Sequence, residues 1–508
     1  MVYTRQDVWG LGDGWNDTLT WYARAVGAMK RRPITDVTSW AFLAAIHGID
    51  QGLWTQYGYL TDGQAMPTQA QADRYIAKCQ HQSWYFLPWH RGYLLAFESI
   101  VRAAVVAAGG PADWALPYWN YNNPDEAKAL QLPSAFADPK MPDGSDNPLY
   151  VAQRYGNGQT PITLPPLQIR PIALGVGTFA DGDNPEFGGP VTTFHHGGED
   201  QLPSGGLESE PHNNVHGAVG GGTNAGPGLM SDPDTAALDP IFWLHHANID
   251  RMWEIWLQNA AHTNPTDQDT WMTGPADGPF AMPTATGGDW PYAAKDMLSI
   301  AALGYAYQSL ASPVAPARRQ NRMAALGATP ARLAAIAREA PMPSKPAEVI
   351  GSSEAPVPLG GGPVTATVRL DAPSVAGVAR SLAAAPQMTA GEPDRVFLKL
   401  DNIRSPNDGA IVSVYAGLPD GADPAQHPEA YVGAISMFGA RKATRTDGGR
   451  AGNGLSQVFE ITGIVDALHQ AGRLADLKSL NVRFVPEHNL EPGEGASVGR
   501  VSLLRRPA

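Results

Sequence analysis

Thirteen histidines stand in the chain, and ten of them fall between His47 and His262. Imidazole ligates borderline and soft transition metals, so this bias marks where the chemistry is to be sought. In PHNNVHGAVGG, His212 and His216 are four apart, which puts both rings on one face of a helix. His246, in DPIFWLHHANIDRMW, comes thirty residues later on a second helix, four after Phe242 and four before Asp250. Two facing helices that deliver three imidazoles make a bundle-core metal site. The upstream half repeats the count, with His47 on one helix, His90 on another and His81 in the segment before it. Three imidazoles suit zinc or copper, whereas magnesium and calcium want oxygen ligands. Taken singly, each residue has a plain structural use. HxxxH is common on helices, His47 alone fits a core or capping role, and His245-His246 fits a hydrogen-bonded pair at a helix start. Two matched triples resist that account and predict two like metals side by side.

The elements that must position these residues are legible from periodicity. Residues from Thr35 to Val105 read as helical, with Trp40, Leu43 and His47 at i, i+3 and i+7 behind an N-cap at Asp36 or Thr38. A second helix is expected near Pro88, carrying His90, Leu94, Phe97 and Val101 on one stripe. A short third helix begins around Pro211. A fourth opens at Asp239-Pro240 and runs through Phe242, His246, Ile249, Trp253 and Trp256. Residues 121–205, rich in Gly, Pro, Asp and Asn, read as long loops. The expected fold is therefore an α-helical central domain, 1–311, in which a four-helix bundle holds a dimetal site. An Ala/Pro-rich linker, 312–362, follows, with one short helix after Thr329-Pro330. Short alternating runs then occupy 363–508: Val364 to Leu370, Val396 to Leu400, Ile411 to Tyr415, Leu480 to Val485 and Val501 to Leu504. They predict a C-terminal β-rich sandwich or barrel, with one helix over Asp466 to Leu477.

Bulk properties narrow the function classes. The chain has 508 residues, 43% hydrophobic and 17% charged, enough for two or three domains with a large core. Thirty-six basic against 49 acidic residues, a net of −13, speak against a nucleic-acid or anionic-membrane partner. No run of about 18 apolar residues predicts a membrane span. The opening MVYTRQDVWGLGDGW has no charged n-region followed by an apolar stretch, so a cytoplasmic location is expected by default, with export by another route left open. A single cysteine, Cys79, excludes an intrachain disulfide and any Cys-only zinc site.

The motifs HQSWYFLPWHRGYLLAFE, LPYWNY, LESEPHNNVH, DPIFWLHHANIDRMW and GYAYQ resemble those of the type-3 copper proteins: tyrosinases, catechol oxidases and hemocyanins. The resemblance runs from about Val8 to Tyr307, with weaker similarity beyond. It implies two copper ions per chain, with His47, His81 and His90 on copper A and His212, His216 and His246 on copper B. His246 is preferred over His245 because it shares a face with Phe242, which the family packs against that ligand, and with Asp250, an acceptor for its ring N–H. Cys79, two residues before His81, matches the cysteine that fungal-type members join to that imidazole by a thioether. Glu208 matches the family's glutamate that holds a water near copper B, with Asn213 as that water's partner; Glu210 is the rival acid. Pro233, thirteen before His246, falls where many plant members place a bulky aromatic over copper B, and it implies an open entrance. Gly217, just after His216, is assigned to the same substrate pocket. His195-His196 and the GGED after them lie outside the motifs and read as surface loop.

The resemblance implies phenol oxidation with O2 as co-substrate: ortho-hydroxylation of monophenols and oxidation of o-diphenols to quinones, the ring stacking on a π-face at His246. A catechol or o-aminophenol oxidase shares every ligand, and a hemocyanin-like O2 carrier is the non-enzyme alternative. The expected partner is a small phenol or catechol; a homo-oligomer and a copper-donor protein are compatible with the sequence. In related latent oxidases a C-terminal domain pushes an apolar side chain over the coppers. Here Met437-Phe438, two bulky residues interrupting the run YVGAISMFG, are the candidates, with burial of both in the β core as the plain alternative.

Overall fold

The computed structural model describes residues 2–507 except 13, 159–160, 197–201, 225, 276–278, 314–317, 337–344, 420, 447–451, 489 and 491–494. Four helices carry or flank the histidines: α1 (Trp40–His47), α2 (Phe86–Ala107), α3 (Asn214–Gly220) and α4 (Ile241–Leu257). The cap of α1 is Ser39, whose Oγ accepts from Phe42 N at 3.0 Å. Asp36, one of the two caps expected, is spent on its own turn, accepting from Thr38 N at 2.8 Å. Helix α2 starts at Phe86, so Pro88 falls in the first turn, where its missing N–H costs nothing. Asp239 opens α4 as expected: its carboxylate accepts from Ile241 N at 3.1 Å and is held by buried Arg154 at 2.6 Å.

Apolar aromatic packing fixes these helices against one another. Phe97 of α2 and Trp243 of α4 stack with centroids 3.5 Å apart and planes 4° off parallel, and Trp40 of α1 meets both edge-on. Such pairs add about 0.5–1.5 kcal/mol each beyond the area they bury. His212 precedes α3, on a wide turn over Glu208–Asn213, and His216 lies within α3. The described residues among 121–205 are loops punctuated by single turns of helix.

Among the described residues nine strands build the C-terminal domain: β1 (Glu348–Ser352), β2 (Val357–Pro358), β3 (Val364–Leu370), β4 (Arg395–Arg404), β5 (Ile411–Ala416), β6 (Tyr431–Ser436), β7 (Leu455–Glu460), β8 (Ser479–His488) and β9 (Ser497–Arg506). Their order is β6-β5-β8-β3-β1-β9-β4-β7, all antiparallel, with β2 also on β9. The sheet curls until its two ends meet in a nearly closed barrel. There Gly433 of β6 faces the Phe459 ring of β7 so closely that a Cβ would lie 2.6 Å from it. The stretch expected to be linker thus contributes β1 and β2, whose five and two residues are too short to show alternation. Among the described residues, helices over Arg318–Ala325 and Pro330–Ile336, the latter expected after Thr329-Pro330, bury Met323, Leu326 and Ile336 in the barrel core, and three more belong to this domain: α5 (Ala372–Ala384), α6 (Ala440–Thr444) and α7 (Thr462–Gln470). The last replaces the helix expected over 466–477, which would have run past Gly472, at φ +68°.

The barrel is not a separate body. Ile411, Ala434 and Phe438 bury themselves in the core of the central domain, whereas Met437 stays in the core of the barrel.

Candidate metal centre

The structure brings all six expected histidines to one place. His47 ends α1, His90 lies one turn into α2, and His81 comes from the loop before it; their ring centroids are 5.1, 5.3 and 5.7 Å apart. In the second set the Nε2 atoms converge, at 3.1 Å for His212–His216, 3.3 Å for His212–His246 and 3.4 Å for His216–His246. The two sets adjoin where His90 and His246 stack at 4.6 Å.

Backbone and amide acceptors settle which nitrogen is free. Nδ1 of His47 donates to Pro233 O at 2.8 Å, that of His90 to Phe86 O at 2.7 Å and that of His216 to Met230 O at 2.7 Å. His212 Nδ1 donates to Asn213 Oδ1 at 2.8 Å. A carbonyl can only accept, so each of these rings carries its proton on Nδ1 and turns an Nε2 lone pair inward. Nε2 of His47, His81 and His90 is buried without a protein hydrogen-bond partner, and the Nε2 lone pairs of His212 and His216 face each other and His246 Nε2, while His246 Nδ1 has no partner. Orphaned acceptors of this kind are what a pair of imidazole-ligated metals would satisfy. Burial also holds the rings neutral, taking His47 down to about 4 and His212 to about 3, with His81, His90, His216 and His246 well below the ordinary value.

Several neighbours differ from expectation. Phe242 does pack on His246, at 4.1 Å, but Asp250 does not accept from that ring. Asp250 instead receives Arg91 Nε at 2.5 Å, Arg5 Nη1 at 3.2 Å and the Tyr305 and Tyr307 hydroxyls at 2.6 and 2.5 Å. Two buried guanidiniums claim this carboxylate, and they outweigh its burial to keep its pKa below the usual range. His246 offers no open π-face, because Phe242 covers one side and His90 the other. The ring that Phe438 covers is His216, and the histidines that border the cavity are His81 and His196. His245 turns to Tyr121, whose hydroxyl lies 3.3 Å from its Nδ1, although its ring also belongs to the buried group with His212, His216 and His246. Pro233 stands beside His47, accepting from its Nδ1, and borders the cavity with Phe438. Gly217 faces the barrel: a Cβ there would sit 3.0 Å from Ile411 and Ser436.

His195 and His196 are not surface loop; GGED, 197–200, lies outside the described residues. His195 is buried and donates from Nδ1 to His81 O at 2.8 Å. His196 Nδ1 lies 3.0 Å from Cys79 O and 3.1 Å from Cys79 Sγ, so it holds the cysteine against the first set. Cys79 Sγ comes within 4.8 Å of ring nitrogens of both His47 and His81. Neither histidine is flagged by helical spacing, which is why sequence reasoning passed over them.

Above the histidines a cavity of about 50 Å³ remains, bordered by His81, Glu208, Asn213, Pro233, Phe438 and Lys442 among others. Both oxygens of Glu208 accept from Gln82 N, at 2.9 Å, and burial pushes its carboxyl up to about 8 despite that bond. Glu210 points elsewhere, to Arg170 of its own domain at 3.1 Å, and that guanidinium also donates to Val432 O of the barrel at 3.3 Å. Asn213 has its carbonyl on His212 and its amide on Ser204 Oγ at 3.2 Å. Phe438 closes the cavity, stacking on His216 at 4.3 Å and lying 5.9 Å from both His81 and His212.

Around Phe438 the barrel is clasped to the central domain by charge. Arg441 bridges Asp50 at 3.0 Å, Asp232, and Asp408 of its own domain at 3.2 Å, and Lys442 reaches Asp234 at 2.7 Å. Arg506 adds a buried bond to Glu186 at 2.5 Å.

Comparison with known proteins agrees with this geometry. Residues 37–186 and 174–259 match the common central domain of tyrosinase, and 346–506 match a domain of unknown function, DUF7868. A tyrosinase from Hahella sp. (strain CCB-MM4) is 34% identical over 98% of both chains. A chloroplastic polyphenol oxidase of Malus domestica is 29% identical over 67% of this chain and 54% of its own. The fold is also that of latent apple tyrosinase, with a TM-score of 0.60 at 22% identity over 100% of this chain and 98% of the other. With two abutting sets of inward-facing imidazoles and a full-length relative at this identity, the chain belongs to the tyrosinase and polyphenol oxidase family of type-3 dicopper oxidoreductases.

Proposed function

We propose that this chain is a tyrosinase, hydroxylating monophenols at the ortho position and oxidising o-diphenols to o-quinones. His47, His81 and His90 hold copper A in this reading, and His212, His216 and His246 hold copper B. Copper in these two sites supplies the binding and activation of O2. The protein does the rest. The carbonyls of Pro233, Phe86 and Met230 and the Asn213 amide fix the ring orientations. The His216 face seats the substrate ring where Phe438 now lies, and the surrounding Trp and Phe side chains keep water out. Glu208 takes the phenol proton onto a carboxylate oxygen.

The observation that carries monophenol chemistry is this buried Glu208, in the cavity wall and poised near 8, where it can both gain and lose a proton in the neutral range. Diphenol oxidation alone is the second reading. It is favoured by Asn213, whose amide oxygen is engaged by His212 and whose amide nitrogen is engaged by Ser204. Oxygen uptake by the copper-loaded protein with tyrosine, then with catechol, separates them. Uptake with catechol alone removes the monophenol reading, and uptake with neither removes both.

A further inference from the structure

The barrel brings a cation as well as a ring into the cavity. Phe438 is followed by Gly439 in the left-handed region, φ +80°, and by the helix α6, and this turn directs Phe438 and Lys442 to the same cavity. Gly439 is needed there, since a Cβ would stand 3.3 Å from Pro233 Cγ. The Phe438 ring takes the His216 face at 4.3 Å. The Lys442 ammonium donates to Asp234 Oδ1 at 2.7 Å and to His196 Nε2 at 3.0 Å, with both members of the ion pair nearly buried. Asp234 is placed by the metal-binding frame itself. It follows Pro233, whose carbonyl orients His47, and it packs on Gly48, where a Cβ would lie 2.4 Å from its carboxylate.

An aromatic ring on the histidines and an ammonium bordering the same cavity, with a carboxylate behind the ammonium, share the outline of an arylalkylamine. We propose that the Phe438–Lys442 segment is a built-in copy of the substrate, and that the uncovered site prefers phenols and catechols bearing a cationic amine, the ammonium replacing Lys442 on Asp234. The inference rests on the phenol-oxidase reading above. The ring and the ammonium that fill the site are both seen, on separate partners. When the segment leaves, Arg441 departs with it from Asp50 and Asp232, so the rim becomes more negative still and disfavours a carboxylate-bearing phenol.

The test uses the full-length, copper-loaded chain carrying Phe438→Gly with Lys442→Ala, which vacates both positions. Tyramine, neutral tyrosol and 3-(4-hydroxyphenyl)propionate form a ladder of equal ring and similar arm. The expected order of kcat/KM is amine above alcohol above acid, with at least tenfold between the ends, and adding Asp234→Asn should bring amine and alcohol within twofold. Binding of 2-phenylethylamine, which has no hydroxyl to oxidise, is measured by calorimetry on the metal-free variant. It should bind, 3-phenylpropionate should not, and Asp234→Asn should abolish the difference. Should the double variant fail to fold, Phe438→Ala with Lys442→Met, which uncovers His216 and removes the charge but keeps the apolar packing of the lysine stem, reads the same ladder. Equal turnover of amine and alcohol, with no preferential binding of 2-phenylethylamine, overturns the substrate class while phenol oxidation stands. If no phenol or catechol is turned over, the enzymatic reading falls, and the calorimetry still decides whether Asp234 selects the ammonium.

Discussion

The ring of Phe438, from the C-terminal barrel, lies on the imidazole of His216, from α3, with centroids 4.3 Å apart and planes 27° off parallel. Under the proposed function it occupies the place of the substrate ring, so the two exclude each other. Phe438→Ala in the full-length protein should therefore raise catechol-dependent oxygen uptake several-fold, equivalent to about 1 kcal/mol or more in site accessibility. Proteolysis within 312–345 should act in the same direction. Unchanged or falling uptake in both would show that the barrel is no lid.

Copper content tests the ligand set. Elemental analysis should give two coppers per chain, coupled and silent in electron paramagnetic resonance when oxidised. His246→Ala should empty copper B, because its Nε2 lies 3.3 and 3.4 Å from those of the other two histidines. His245→Ala should keep metal, since that ring turns to Tyr121. The reverse result reassigns the ligand.

Much of this centre was legible because helical spacing and metal chemistry impose the same pattern. His212 and His216 need four-residue spacing, and Phe242 reaches His246 by the same rule. What failed depended on tertiary partners. Asp250 shares a helix face with His246, yet Arg5 and Arg91 arrive from 245 and 159 residues away and claim its carboxylate. His196 and Lys442 lie in no motif, and only the docking of α6 makes them neighbours. The dipeptide Met437-Phe438 was ambiguous for a physical reason: adjacent residues at a strand end point to opposite sides, and here one side is the barrel core and the other is the dicopper cavity.

Cys79 tests the resemblance to fungal-type members. In protein matured with copper and oxygen, the Cys79 and His81 side chains should be joined by a thioether, lighter by two hydrogens and inert to alkylation. His196 holds Sγ at 3.1 Å on the side of the first histidine set, which restricts its motion towards it. Quantitative alkylation of Cys79 in active holoprotein would refute the bond. Cys79→Ser should lower copper A occupancy without unfolding the chain, since it replaces one small buried side chain by another.

Glu208 gives the sharpest pH dependence. Burial holds its proton up to about 8 against an ordinary 4.5, so the ionised, basic form grows as the pH rises through the neutral range towards 8. Only a monophenol needs that base. The ratio of monophenol to diphenol turnover should therefore rise from pH 6 to 8 in the natural protein and stay flat and low in Glu208→Gln. The stability of the metal-free chain should carry the opposite sign. The folded state binds this proton more tightly than the unfolded one, so its contribution is complete below about 4.5 and is lost as the pH rises to about 8. Glu208→Gln should flatten that decline in urea titrations at pH 5, 6, 7 and 8. Glu210 is the control: its carboxyl is held near 7 by burial against Arg170, and it faces the barrel interface and not the cavity. Glu210→Gln should loosen the lid and raise both activities together. A selective loss of monophenol turnover in Glu210→Gln, with Glu208→Gln unaffected, would mean that the proton leaves by the other acid.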